Sequence, residues 1–341
     1  MDGHEGAHRS TSELYLHSRI ANFTDADDTL QRAAVSVSRR RSSCKLKFCG
    51  PIVKIFPQEI TVLPLSRFTR AILLSMLGLV PLALIGCNSS DGQGDKQIVL
   101  TGSSTVAPLV GEIAKKFETL HPGVRVDVQS GGSSRGVADA RRGLADIGMV
   151  SRALKSAEKD LTSYTIAKDG ICIILHRTNP VASLTDDQIV GIYTGRINNW
   201  KEVGGADGEI TVVNKAEGRS TLELFVGHFK LDNADIKADT VIGDNEQGIK
   251  TVAGSPGAIG YVSIGTAEYD ASHDVAIKLL PLAGVAASIE NVRSGEFPLS
   301  RPLNLVVKGE PTGLAAEFIE FARSRDVNQI VLEQYFVPLA Q

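Results

Sequence analysis

The chain has little of what several familiar protein classes require. Four cysteines in 341 residues, two of them within the first 50, leave no disulfide framework and no metal-spaced Cys/His cluster. An apolar core alone has to hold the fold. Aromatic residues are only 5% of the chain, with one Trp, which argues against a carbohydrate-stacking groove. There is no basic surplus: 36 Lys and Arg stand against 39 Asp and Glu, a net charge of −3, which disfavours a nucleic-acid partner. No loop carries the Gly-Lys-Ser/Thr ending of a phosphate-cradling Walker loop, so nucleotide hydrolysis has no support. A Gly-x-Ser-x-Gly nucleophile elbow is missing too; Gly131-Gly-Ser-Ser-Arg-Gly136 misses the spacing. The polar turns hold no histidine that could serve a serine as base. What the chain does have is 43% hydrophobic residues and 33 glycines, enough for two domains or one large α/β domain.

Charge is unevenly spread. The first 86 residues carry 11 Lys/Arg and 7 Asp/Glu, whereas the following 255 carry 25 and 32. Arg67 and Arg70 precede an uncharged apolar run at 71–85, 15 residues long. As a helix it spans about 22 Å, short of a hydrocarbon core of about 30 Å. A positive flank and a short apolar run mark a secretory signal peptide. The run ends in Leu84-Ile-Gly-Cys87, which resembles a bacterial lipobox, with Cys87 as the lipid-modified new N-terminus. Residues 63–86 are therefore expected to be a lipoprotein signal peptide, 1–62 a mispredicted start, and 87–96 a polar tether. Of the cysteines, only Cys87 and Cys172 remain after such cleavage. Cys172, inside an apolar run, reads as a small buried hydrophobe.

From Gln97 onward the pattern is α/β. A strand at 97–101 runs into Gly102-Ser-Ser-Thr-Val-Ala-Pro108, and a helix follows with Leu109, Ile113, Phe117 and Leu120 on one face. A strand at 124–128 leads to Ser130-Gly-Gly-Ser-Ser134 and a second helix. A third strand at 145–150 ends in Ser151 and Arg152. This is the logic of a parallel sheet whose loops gather at the strands' carboxyl ends. Further strands are expected at 170–176, 209–213, 258–262 and 303–307. Thr185 is an expected helix N-cap, and a last helix is expected over 312–322.

Hydroxyl and glycine residues recur where strands end and helices begin: Ser103, Ser104 and Thr105; Ser133 and Ser134; Ser151; and Ser220 with Thr221 beside Arg219. Helix N-termini offer unpaired N–H groups and a positive dipole end, hydroxyls add donors, and glycine allows close approach. Each alone is explained as an ordinary cap. Together, with two of the turns carrying arginine, they suit a small oxyanion.

These motifs resemble those of PstS-like phosphate-binding lipoproteins of bacterial phosphate ABC transporters, periplasmic binding proteins of the type 2 fold. The resemblance covers roughly 97–340 and includes Ile192-Tyr-Thr-Gly-Arg-Ile-Asn-Asn-Trp200, Asn214-Lys-Ala-Glu-Gly-Arg-Ser-Thr221 and Gly254-Ser-Pro-Gly-Ala-Ile-Gly-Tyr-Val262. It implies two α/β lobes, each a mainly parallel sheet flanked by helices, with the ligand cleft between them. The first lobe would take 97–176 plus about 265–341, and the second 177–264. It implies binding of inorganic phosphate by Ser103, Ser104, Thr105, Ser133, Ser134, Ser151, Arg152, Lys215, Glu217, Arg219, Ser220 and Thr221. Neither cofactor nor catalytic residue is implied. The implied partners are an ABC permease with its ATPase subunits and, through Cys87, a membrane, for a monomer at the periplasm or cell surface.

Two departures bear on specificity. Many relatives carry Asp where this chain has Arg152, and arginine cannot accept a hydrogen bond from a protonated ligand. Arg219 stands where the usual turn has serine, and adds a charge-assisted donor. Sulfate, molybdate or tungstate therefore stay open as alternative ligands. A surface protein that keeps the fold for signalling or adhesion is the alternative from another class.

Overall fold

The computed structural model describes residues 96–339. The expected leader 1–86, the lipidation candidate Cys87 and the tether up to Asp95 lie outside the described residues.

The first five elements alternate as the periodicity predicts: β1 (Lys96–Gly102), α1 (Val106–Leu120), β2 (Val124–Ser130), α2 (Ser133–Arg142) and β3 (Ile147–Val150). A long strand, β4 (Leu161–His176), then leads into α3 (Asp186–Tyr193), β5 (Thr211–Lys215), α4 (Ser220–Phe229), β6 (Thr240–Ile242) and α5 (Asn245–Gly254). After these come β7 (Ala258–Ser263), α6 (Ile264–Ser272), β8 (Ile277–Leu279) and α7 (Ile289–Ser294). Strand β9 (Ser300–Lys308) returns to the start, and α8 (Gly313–Ala322) and α9 (Asn328–Glu333) close the described chain. Thr185 caps α3 as expected: its hydroxyl accepts from the Gln188 amide while the Gln188 side chain accepts from the Thr185 amide.

The strands run in the order β2-β1-β3-β9-β4-β7-β5-β6, with β8 also on β4. Pairing is parallel among β2, β1 and β3, and again among β7, β5 and β6. The middle is different. Strands β4 and β9 are antiparallel to each other and to their other neighbours, so the sheet as a whole is mixed, with a parallel set of three strands at each end. Antiparallel pairing lets two chain passages join the lobes directly, without a crossover helix.

The apolar core has two main clusters and a small third one of Val137, Ala140, Val150, Leu161 and Val306. One main cluster gathers Leu100, Ile113 and Phe117 with Leu305 and Phe318. The other gathers Ile174, Tyr193, Phe225 and Tyr261, and the rings of Phe225 and Tyr261 stack at 3.9 Å between centroids. Full burial of each such side chain contributes about 1.5–3 kcal/mol. Cys172 is buried in the second cluster, as its apolar surroundings suggest. The clusters hand over between Ala167 and Ile171 on β4, and between Leu299 and Leu303 near the start of β9. Buried residues from Ile277 to Leu299, expected to return to the first lobe, pack in the second cluster instead.

Glycine is required where α2 meets the sheet. A Cβ on Gly136 would lie 2.7 Å from the Met149 carbonyl oxygen and 2.8 Å from that of Thr101. Side-chain-free contact draws α2 onto the ends of β1 and β3, and so brings their terminal hydroxyls together.

Candidate functional site

The hydroxyls that end β1 and β3 and begin α1 and α2 form one buried cluster. Ser103 Oγ accepts from the amides of Thr105 and Val106 at 3.2 and 3.3 Å, capping α1, and donates to Ser151 Oγ at 2.9 Å. Ser133 Oγ accepts from the Ser151 amide at 3.2 Å. Ser103 and Ser133 thus brace Ser151. From the second half, α4 begins with Ser220 and Thr221, both buried. Ser220 Oγ has no hydrogen-bond partner among the described residues.

A residue the sequence did not single out sits at the centre. Arg301, fully buried on β9, lies opposite Asp169 of β4 in the strand register. Asp169 Oδ2 accepts from Arg301 Nε at 3.0 Å and Nη2 at 2.8 Å, while its Oδ1 accepts from the Gly265 amide at 3.2 Å. The outer N–H groups of the guanidinium reach Thr221 Oγ1 at 3.0 Å, Thr105 Oγ1 at 3.2 Å and Ser151 Oγ at 3.4 Å. Hydroxyls from both main core clusters therefore converge on one fixed cation at the place where the chain passes between them.

Asn245 is the second residue missed. Its Nδ2 donates to Thr105 Oγ1 at 3.3 Å, and its Oδ1 accepts from Lys215 Nζ at 3.1 Å. Lys215 also donates to the Asp244 carbonyl oxygen at 2.7 Å. Burial pushes its ammonium down to about 7; Arg301 and Arg219 push the same way, and the Asp244 and Glu246 carboxylates oppose them.

The other expected residues take separate places. Ser104 is half-buried and, with Ser130, Asp244 and Thr266, lines a cavity of about 220 Å³ next to the cluster. Ser134 faces the second half: its amide donates to the Gly218 carbonyl oxygen at 3.2 Å and its hydroxyl to Glu223 Oε1 at 3.3 Å. Arg219 lies against Gly132 and forms no ion pair with a carboxylate among the described residues. Glu217 is exposed and accepts from Asn233 Nδ2 at 3.4 Å, away from the hydroxyls. Arg152 is buried but committed elsewhere. Its Nη1 and Nη2 donate to Glu158 at 2.7 and 2.9 Å, Nη1 also donates to the Ala153 carbonyl oxygen, and Nε lies 2.8 Å from Glu223 Oε2. Burial opposes the Arg152 charge, but the Glu158 hydrogen bonds and the Glu223 charge outweigh it and raise its pKa. The expected ligand contacts from Arg152 and Glu217 therefore do not form part of the cluster.

Around Arg301 the arrangement offers hydroxyls, amide and cationic donors, with one carboxylate, Asp169, already engaged by the guanidinium. Such a donor set is chemically suited to a small anion. A signal for Arg301 existed in the sequence: an arginine at the mouth of the buried run 303–307, matched by an acid just before the buried run 170–175. Two opposite charges at the entrances of two apolar strands are explained by pairing with each other.

A profile of the PBP superfamily domain matches residues 88–326. The phosphate-binding protein PstS of Bacillus subtilis is 32% identical over 262 residues, 74% of this chain and 85% of that one. PstS of Pseudomonas aeruginosa is 27% identical over 264 residues, 70% of this chain and 81% of its own. Among solved structures, a putative phosphate ABC transporter substrate-binding protein of Clostridium perfringens, crystallised with bound phosphate, is 33% identical. It aligns with a TM-score of 0.67 over 72% of this chain and all of that one. An ABC-type phosphate transport receptor of Vibrio cholerae is 31% identical, with a TM-score of 0.60 over 71% of this chain and all of its own.

Proposed function

Because the chain belongs to the PBP superfamily, and within it to the family of PstS phosphate-binding proteins, we propose that it captures inorganic phosphate outside the cytoplasm and delivers it to an ABC permease powered by ATPase subunits. No covalent chemistry is part of this role; the ion is bound, enclosed and released. The observation that carries the reading is the convergence of Thr105, Ser151 and Thr221, from both halves of the core, on the buried guanidinium of Arg301. The unpartnered hydroxyl of Ser220 supports it, since a buried donor without an acceptor is held at a free-energy cost that a ligand oxygen removes. In this reading Thr105, Ser151, Ser220, Thr221 and the N-termini of α1 and α4 donate to phosphate. Ser103 and Ser133 hold Ser151 in place, and Arg301, Lys215 and Arg219 supply positive charge. Ser104 and Ser134 stand at the edge of the site. Lipid on Cys87 and the polar residues after it would tether the binding domain to a membrane.

A second reading has an observation in its favour. The carboxylates nearest the cluster are engaged or turned away: Asp169 with Arg301, Glu223 with Arg152, Asp244 with the Gln247 amide, and Glu217 in solvent, while Glu246 lines the neighbouring cavity and is not without a partner. A site without a free carboxylate acceptor cannot use that device to demand a proton on its ligand, which favours sulfate as a competing ion. Calorimetric titration of anion-stripped protein with phosphate and with sulfate, at pH 5.5 and 8, separates the readings. Tight phosphate binding with weak sulfate binding is expected. Equal binding of both moves the protein to general oxyanion capture, and binding of neither refutes the site.

A further inference from the structure

Away from the hydroxyl cluster, a separate ionic group spans the two halves. On the first half, Arg152 follows Ser151 directly and is locked by its two hydrogen bonds to Glu158. Glu158 is itself fixed, because its Oε2 also accepts from the Lys155 amide at 2.8 Å. Lys155, on the same loop, is half-exposed. On the second half, Glu223 stands in the first turn of α4, two residues beyond Thr221. Its Oε2 lies 2.8 Å from Arg152 Nε and 2.8 Å from Lys155 Nζ, and its Oε1 accepts from Ser134 Oγ. Glu223 thus meets three groups of the opposite half and, among the described residues, no cation of its own.

Charge gives this contact a direction. Arg152, Lys155 and Glu158 together leave one surplus positive charge on the first half, and Glu223 supplies the matching negative charge from the second. Arg152 Nε and Glu223 Oε2 are at ion-pair distance and buried, yet not aligned as a hydrogen bond. The attraction is therefore coulombic, which tolerates small displacements of one half against the other better than a directed bond does. Both sides adjoin the site: Arg152 is the neighbour of Ser151, and Glu223 lies within one helical turn of Thr221.

We propose that Glu223 is a positioning residue that latches the two halves shut over the ligand, so that its charge sets how slowly the anion leaves rather than how it is recognised. The proposal rests on the anion-capture reading above. Because Glu223 touches none of the hydroxyls around Arg301, its effect falls on release. Recognition is unchanged because Arg301, Thr105 and Thr221 keep their places.

The test uses the full chain loaded with radiolabelled inorganic phosphate and chased with excess unlabelled phosphate. Wild type is compared with Glu223→Gln, which keeps the shape, with Lys155→Met at an exposed position, and with the double variant. Glu223→Gln is expected to speed release about tenfold, with the association rate within twofold of wild type. Lys155→Met should speed release a few-fold, and the double variant should be no faster than Glu223→Gln alone, because both remove one contact. Raising salt from 50 to 500 mM should speed release from wild type but not from Glu223→Gln. An unchanged release rate, or a change confined to association, overturns the latch while leaving phosphate capture intact. If wild type binds no phosphate, the capture reading fails instead. The latch is then judged by small-angle scattering, where Glu223→Gln must show a larger radius of gyration than wild type, and equal radii overturn it.

Discussion

Replacing Arg301 by methionine tests the centre of the site and the joint between its halves together. Arg301 and Asp169 are both fully buried, and Asp169 would keep only the Gly265 amide as a donor. Removing one partner of a buried pair destabilises by about 3–5 kcal/mol, because the remaining charge has neither water nor a counter-ion. Binding suffers separately. The guanidinium N–H groups now directed at Thr221, Thr105 and Ser151 are the ones positioned to reach an anion. Losing two charge-assisted hydrogen bonds at about 1.5–3 kcal/mol each weakens affinity by at least about two orders of magnitude. Urea denaturation without phosphate measures the first effect and calorimetric titration the second. Asp169→Asn combined with Arg301→Met separates them: it should regain most of the lost stability and none of the lost affinity. Binding by that double variant within threefold of wild type would refute the role assigned to Arg301.

Lys215 predicts a pH dependence. Its pKa is about 7 in the fold against 10.5 for a free side chain, so between these values the unfolded chain holds one more proton than the native one. Stability of the phosphate-free protein should therefore rise as pH increases from about 7, by up to about 1.4 kcal/mol per unit from this group, with the full penalty present below about pH 7. Lys215→Met should flatten the rise in urea midpoint between pH 7.5 and 9.5; an unchanged slope contradicts the assignment. Gly136→Ala sets helix propensity against packing. A gain of about 1 kcal/mol from propensity is outweighed by backbone oxygens 2.7 and 2.8 Å from the new methyl group, so a net loss of about 1–3 kcal/mol is expected in denaturant unfolding. A more stable variant would show that α2 can withdraw from the sheet.

Local pattern made part of this molecule readable and distance hid the rest. The α/β alternation from β1 to β3 shows in apolar spacing, and so do the hydroxyls at the strand ends, because strand, turn and helix signals are all short-range. Strand β4 is only half visible: its second half is an unbroken apolar run, whereas residues 161–169 mix polar and apolar side chains without a clean alternation, and a register shift between Thr165 and Ala167 interrupts their pairing with β9. Strands β4 and β9 pair distant segments, from Leu161 with Lys308 to Gly170 with Ser300, and no local period encodes that. Asp169 and Arg301 are 132 residues apart and acquire their meaning only once those strands pair. Arg152 shows the opposite limit. Its place beside Ser151 was legible, but the direction of its side chain depends on Glu158 and Glu223.

The measurement that bears most directly on the central claim is a crystal structure of the protein grown with phosphate. One tetrahedral ion is expected between the starts of α1 and α4, accepting hydrogen bonds from Thr105, Ser151, Thr221 and Arg301, with Ser220 Oγ turned to it. An ion bound elsewhere, or a cleft in which Arg301 points away from the bound ion, would contradict that claim.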